Sequence, residues 1–158
     1  MAELILCVGR LREEHWRAAC AEYQKRLSRY GKLEIVEVDD LPEPEHASDA
    51  DREKIKRREG EALLKRIRPG DHVVALCIDA PQLTSEALAD FVAERERSGG
   101  RTVYVIGGSL GLSGDVISRA DRKLSMSRMT FPHQLARVML LEQLYRSRKI
   151  LAGERYHK

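Results

Sequence analysis

Thr102-Val103-Tyr104-Val105-Ile106-Gly107-Gly108-Ser109-Leu110-Gly111-Leu112-Ser113 is the stretch whose reading decides the fold. Thr102 to Ile106 is nearly continuous in apolar residues, as strands covered on both faces of a parallel sheet tend to be. Three glycines then free the backbone to turn tightly and to approach a ligand closely. Ser113 opens a short helix. The loop is neither the G-x-G-x-x-G of a dinucleotide site nor a P-loop, which would need G-x-x-x-x-G-K-[ST]. A plain strand-to-helix turn would read the same way.

Outward from this stretch, short apolar runs alternate with helical patterns. Leu4 to Val8, Leu33 to Val38, His72 to Ile78 and Leu124 to Met126 join Thr102 to Ile106 as expected strands. A helix over 13–30 places Trp16, Ala19, Cys20, Tyr23 and Leu27 on one face. A second, over 51–67, carries Ile55, Ala62, Leu63 and Ile67, and Pro69-Gly70 stops it. A third begins with Thr84 or Ser85 as N-cap, buries Leu88, Phe91 and Val92, and ends at Gly99-Gly100. The last runs from Pro132, in its first turn, to Leu151 with Leu135, Val138, Leu141, Leu144 and Tyr145 inward. This alternation predicts a single α/β domain over 1–158 with a mainly parallel sheet of five to six strands flanked by helices. The acidic stretch Asp39 to Ala50, with Pro42 and Pro44, reads as a surface loop.

With 158 residues the chain can bury a core without metals or disulfides. No apolar run reaches the roughly 18 residues that a membrane span needs, and the N-terminus lacks the basic start and long apolar region of a secretory leader, so a cytoplasmic protein is expected. Cys7, Cys20 and Cys77 form no C-x-x-C pair and read as core thiols. The net charge of +3 is segregated: residues 122–158 hold nine Lys or Arg against Glu142 and Glu154. Such a segment can be a footprint for a phosphate backbone or merely a solvated helix face.

Ligands of open parallel sheets collect at the carboxyl ends of the strands. There, after the fifth strand, lies Ser125-Met126-Ser127-Arg128-Met129-Thr130-Phe131-Pro132-His133-Gln134. It sets small hydroxyls, backbone amides and apolar side chains between a strand end and a helix N-terminus, where an adenine and a sulfonium could lie. A core-packing connection is the other reading, and His133 alone reads first as a structural histidine.

These residues, together with Ile106-Gly107-Gly108-Ser109 and Gly111-Leu112, Arg137-Val138, Glu142-Gln143-Leu144-Tyr145-Arg146 and the terminal Tyr156-His157-Lys158, carry a resemblance along the whole chain. The sequence is similar to the RlmH family, which methylates N3 of a pseudouridine in 23S ribosomal RNA. The resemblance implies a SPOUT-type trefoil-knotted α/β fold. Its C-terminal part, about 102–158, would carry the knot and an S-adenosylmethionine site at a homodimer interface. Position by position it implies Leu76, Gly107, Met126, Ser127, Arg128, Met129, Thr130 and Phe131 as cofactor-binding residues. Arg146, Tyr156 and His157 would serve RNA and catalysis, with no metal.

In that setting His157 could accept the N3 proton, Arg146 could stabilise the resulting charge or bind phosphate, and Tyr156 could stack on an unpaired base. The partner would be 23S rRNA in the large subunit or assembled ribosome. Two other readings stay open: a SPOUT enzyme acting on transfer RNA or a 2′-hydroxyl, and a non-catalytic ribosome-binding protein of the same fold. A nucleotide hydrolase is disfavoured by the missing P-loop lysine.

Overall fold

The computed structural model describes residues 2–158. In chain order the elements are β1 (Ala2–Val8), α1 (Glu14–Leu27), β2 (Lys32–Val38), α2 (Asp49–Leu64), β3 (His72–Leu76), α3 (Ser85–Ser98), β4 (Arg101–Ile106), α4 (Gly114–Arg119), β5 (Arg122–Leu124) and α5 (His133–Leu151). The five strands form one sheet in the order β2-β1-β4-β3-β5. Every pairing is parallel, so the expected mainly parallel sheet is wholly parallel among the described residues.

Strand alternation sends neighbouring residues to opposite faces. Ile5 and Cys7 of β1, Val74 of β3, and Tyr104 and Ile106 of β4 join one core with Leu88, Phe91 and Val92 of α3 and Leu140, Leu141 and Leu144 of α5. Leu4, Leu6, Val8, Val73, Ala75, Val103 and Val105 point the other way, to Leu63 of α2 and Val116 of α4. Because β1, β3 and β4 are covered on both sides, their sequences carry no polar alternation.

The element boundaries depart from the sequence reading in instructive places. β3 stops at Leu76, leaving Ile78 exposed, and β5 spans Arg122–Leu124 rather than 124–126. The parallel register pairs Val74 with Arg122 and Leu76 with Leu124, so the edge strand is polar at its start; the Arg122 guanidinium lies over the Phe91 ring, 4.7 Å from its centroid. α2 begins two residues early because Ser48 and Asp51 form a reciprocal capping box inside the supposed loop, and it ends at Leu64, before Pro69. Pro132 is the N-cap of α5, one position ahead of the first turn. Of the two candidates for the α3 cap, Thr84 is the N-cap and Ser85 the first helical residue, and Ser113 caps α4.

At the amino ends of the strands, Asp71 accepts hydrogen bonds from Arg101 Nε (3.0 Å) and Nη2 (2.6 Å) and from the Arg68 amide (2.7 Å). Burial by itself would raise this carboxyl, but the Arg101 and Arg68 hydrogen bonds outweigh it and hold the pKa below the usual aspartate range. A carboxylate depressed in this way stabilises the fold above its unfolded pKa of ~3.9, and the stabilisation is lost as pH falls through the lower folded value. Asp71→Asn should therefore lower the stability at neutral pH by about 3 kcal/mol, as the loss of one partner of a buried ion pair does. Urea midpoints measured at decreasing pH should show the gap from the unmutated protein closing in acid.

Candidate active site at the carboxyl ends of β3, β4 and β5

The strand order sets β4, β3 and β5 side by side, so the loops that leave them converge at one end of the sheet. Between these loops and the start of α5 lies a cleft of about 840 Å³, lined among others by Leu76, Gly107, Leu112, Leu124, Met126 and Phe131. This is within the size range of small-molecule sites, and the few polar groups among apolar walls are characteristic of them.

The glycine loop is shaped by its own backbone. Gly111 donates its amide to the Gly108 carbonyl (3.1 Å) and takes φ +84°, a conformation costly for other residues. A Cβ on Gly107 would lie 2.8 Å from the Gly111 carbonyl carbon, so no larger residue fits there without moving the loop. The Ser125 to Pro132 segment is tied to the loop after β3: the Ser125 amide donates to the Pro81 carbonyl (3.0 Å) and the Cys77 amide to the Leu124 carbonyl (3.0 Å). Within it, Ser125 Oγ donates to the Ser127 carbonyl and the Met129 amide donates to Ser127 Oγ, both at 2.9 Å. These bonds hold an irregular segment in shape, and Met129 projects into solvent.

Of the residues expected to bind cofactor, Leu76, Gly107, Met126, Ser127, Met129, Thr130 and Phe131 line this cleft. Arg128 does not; it borders an adjoining polar recess of about 460 Å³ with Ile78, Asp79, Ala80 and Gln82. Cys7 and Cys20 are core thiols, whereas Cys77 is half-buried and faces the cleft.

The expected catalytic residues gather elsewhere. Arg146 Nη1 contacts His157 Nδ1 (3.2 Å), the Arg146 guanidinium lies over the Tyr156 ring (4.8 Å to the centroid), and Tyr156 donates its hydroxyl to Glu142 (3.1 Å). Burial and the Glu142 carboxylate push the Tyr156 phenol up to about 12, so it remains a donor. None of the three lines the cleft. Arg146 lies thirteen residues beyond His133 on α5, a separation of about 20 Å along a helix.

His133, read from sequence as structural, lines the cleft at the first position of α5. Its Nδ1 is buried with no hydrogen-bond partner, and burial first, then Arg137, lowers its pKa. Arg137, one turn on, is itself buried; it donates to Glu37 of β2 (2.8 Å) and to the Gly9 carbonyl (3.1 Å), fixing the start of α5 against the ends of β1 and β2. Sequence reasoning gave no role to Glu142, quoted only within the family motif, or to Glu86. The i, i+4 spacing of Glu142 and Arg146 was a usable signal for the first; nothing local marked the second.

An all-parallel sheet of this order, with a glycine loop and an irregular segment closing a cleft over its carboxyl ends, is the architecture of a known class. The chain belongs to the SPOUT methyltransferase family, whose model, described as a predicted SPOUT methyltransferase, matches residues 1–157. Among its relatives, the ribosomal RNA large subunit methyltransferase H of Bifidobacterium animalis subsp. lactis is 54% identical over 155 residues, covering 98% of each chain. The proteins of the same description from Bacillus pumilus and Carboxydothermus hydrogenoformans are 50% and 48% identical at the same coverage. A probable methylase family protein from Haemophilus influenzae shares the fold at a TM-score of 0.57 and 12% identity, over 99% of this chain and 70% of that one.

Replacing Arg137 tests how the start of α5 is held. Arg137→Met should cost about 2 kcal/mol in urea unfolding, because the buried Gly9 carbonyl is left without its donor and Glu37, at the rim, loses its charged partner. In NMR titration the His133 pKa should rise toward its ordinary value, since Arg137 is, after burial, the second cause that lowers it.

Proposed function

We propose that this protein methylates N3 of a pseudouridine in 23S ribosomal RNA, using S-adenosylmethionine, as a homodimer in the cytoplasm. The observation that carries the reading is the cleft itself: seven of the eight residues expected from the family resemblance line one cavity of about 840 Å³. The roughly half-identical relatives that act on the large-subunit RNA support the substrate class.

The cleft suits the proposed cofactor. Leu76, Leu112, Leu124, Met126 and Phe131 offer apolar walls for a purine, and Gly107 leaves backbone rather than side chain facing the ligand. When bound, S-adenosylmethionine supplies an electrophilic methyl group for in-line attack by a nitrogen. The protein's share is then to align the acceptor and to manage its proton. The imide N3 is a weak nucleophile until that proton leaves. His133, kept neutral in the cleft by burial, is positioned to accept it. Among the described residues no group of three His, Cys, Asp or Glu side chains could hold a metal ion, and no helix is long and apolar enough to cross a membrane.

Arg146 and Tyr156 present a cation and an aromatic ring beside the chain's end, suited to phosphate or developing negative charge and to base stacking. Their distance from the cleft of their own chain supports a dimer in which one protomer's tail serves its partner's cleft, within the knotted arrangement that the family resemblance implies.

Labelled S-adenosylmethionine and ribosomes lacking the modification provide the test. Label should map to one pseudouridine of 23S rRNA, and binding should weaken steeply with salt. Gly107→Ala and His157→Ala should each be inactive alone. Refolded together they should recover about a quarter of wild-type activity, since half the dimers hold one intact pairing of cleft and tail. Cofactor binding without RNA labelling would leave the fold and refute the substrate; absence of cofactor binding would favour a non-catalytic RNA-binding protein.

A further inference from the structure

We infer that Glu86 and Glu142 are positioning residues that hold His157 as its Nε2–H tautomer and present Arg146 and Tyr156 as one rigid unit, so that His157 orients the site instead of accepting a proton. The inference rests on the proposed methyl transfer only for its kinetic consequence.

The argument is one of donors and acceptors. A guanidinium has donors alone, so the contact of Arg146 Nη1 with His157 Nδ1 at 3.2 Å requires a lone pair on Nδ1. A neutral imidazole with a lone pair on Nδ1 carries its hydrogen on Nε2, and there it meets the Glu86 carboxylate at 2.8 Å. Both ring nitrogens are thus in use. Protonating Nδ1 would set an N–H against the Arg146 N–H and break the contact.

The two carboxylates that close this arrangement are themselves fixed. Glu142 accepts from Arg146 Nε and Nη2, from the Tyr156 hydroxyl and from Gln143 Nε2 (2.8 Å). Gln143 in turn accepts from Ser85 Oγ (2.8 Å), beside Glu86 in the first turn of α3. The hydrogen bonds therefore run from Ser85 through Gln143, Glu142, Arg146 and His157 to Glu86, a ring that joins α3, α5 and the tail. Glu86 stays ionised because it accepts from its own backbone amide and from His157 at a helix N-terminus. A tail of residues beyond α5 would otherwise be free to fray.

Long-range proton–nitrogen correlation spectra of the full-length protein read the tautomer directly, without substrate. His157 should be the Nε2–H form in the wild type and in Glu86→Gln, whose amide oxygen can still accept. Glu86→Lys puts donors at both nitrogens and should release the ring to a mixture of forms. In the methylation assay Glu86→Lys and Glu142→Ala should lower kcat by about tenfold or more, with KM for S-adenosylmethionine unchanged, and Glu86→Gln should restore most of the turnover lost in Glu86→Ala. An Nδ1–H tautomer in the wild type, or Glu86→Lys with wild-type spectrum and turnover, would overturn the inference. A wild-type protein with the Nε2–H form and no methyl transfer would instead refute the proposed function and leave the hydrogen-bonded ring standing.

Discussion

The cleft depends on one short pairing, the three-residue parallel ladder between β3 and β5. It brings the chain back beside a strand laid down some fifty residues earlier and releases it at the carboxyl end of the sheet, next to the glycine loop after β4. The bond from the Cys77 amide to the Leu124 carbonyl and the bridge between Gln82 and Ser125 extend the contact past the strands themselves. Without that register the Ser125 to Pro132 segment would have no wall to close against, and α5 would not start at the cleft. A parallel ladder this short is weak alone; it persists because Leu124 and Val74 share the core beneath α3 and α5.

The basic end of the chain serves structure before it serves any ligand. Arg137 is buried against Glu37, Arg148 against Glu3 and Glu96, Arg146 is held by Glu142, and Lys149 pairs with Glu154. These cations tie α5 to β1, β2, α3 and the tail, and their partners lie mostly outside the basic segment. A count of charge along the sequence cannot see this pairing, because Glu3, Glu37 and Glu96 are far away in the chain. The cations of this segment that make no ion pair among the described residues are fewer than the composition suggests: Arg122, stacked on Phe91, Lys123 at the cleft, Arg128 at its neighbouring recess, and Arg155 and Lys158 in the tail.

Where local chemistry decides an outcome, the sequence could be read directly. Thr84 and Ser113 were legible as caps because a hydroxyl before an apolar-periodic run has one favourable use. The fold class followed from Thr102–Ile106 and its neighbours, since strands buried on both faces must be apolar throughout. The edge strand was misplaced by two residues because its register answers to β3, whose apolar demand falls on Leu124 alone. The capping box at Ser48 was hidden by the acidic, proline-bearing stretch before it.

By itself, then, the sequence determined an α/β domain, its helices and two of their caps, because burial and capping act on near neighbours and leave periodic or spaced signatures; the residues expected at the cleft came from the family resemblance. Tertiary structure alone decided that Arg137 and Arg148 are structural, that His133 faces the cleft as a neutral group, and that both nitrogens of His157 are engaged. Each of those facts is a meeting of groups from distant elements, and it is the partner, through hydrogen bonding and desolvation, that sets what an ionisable side chain can do.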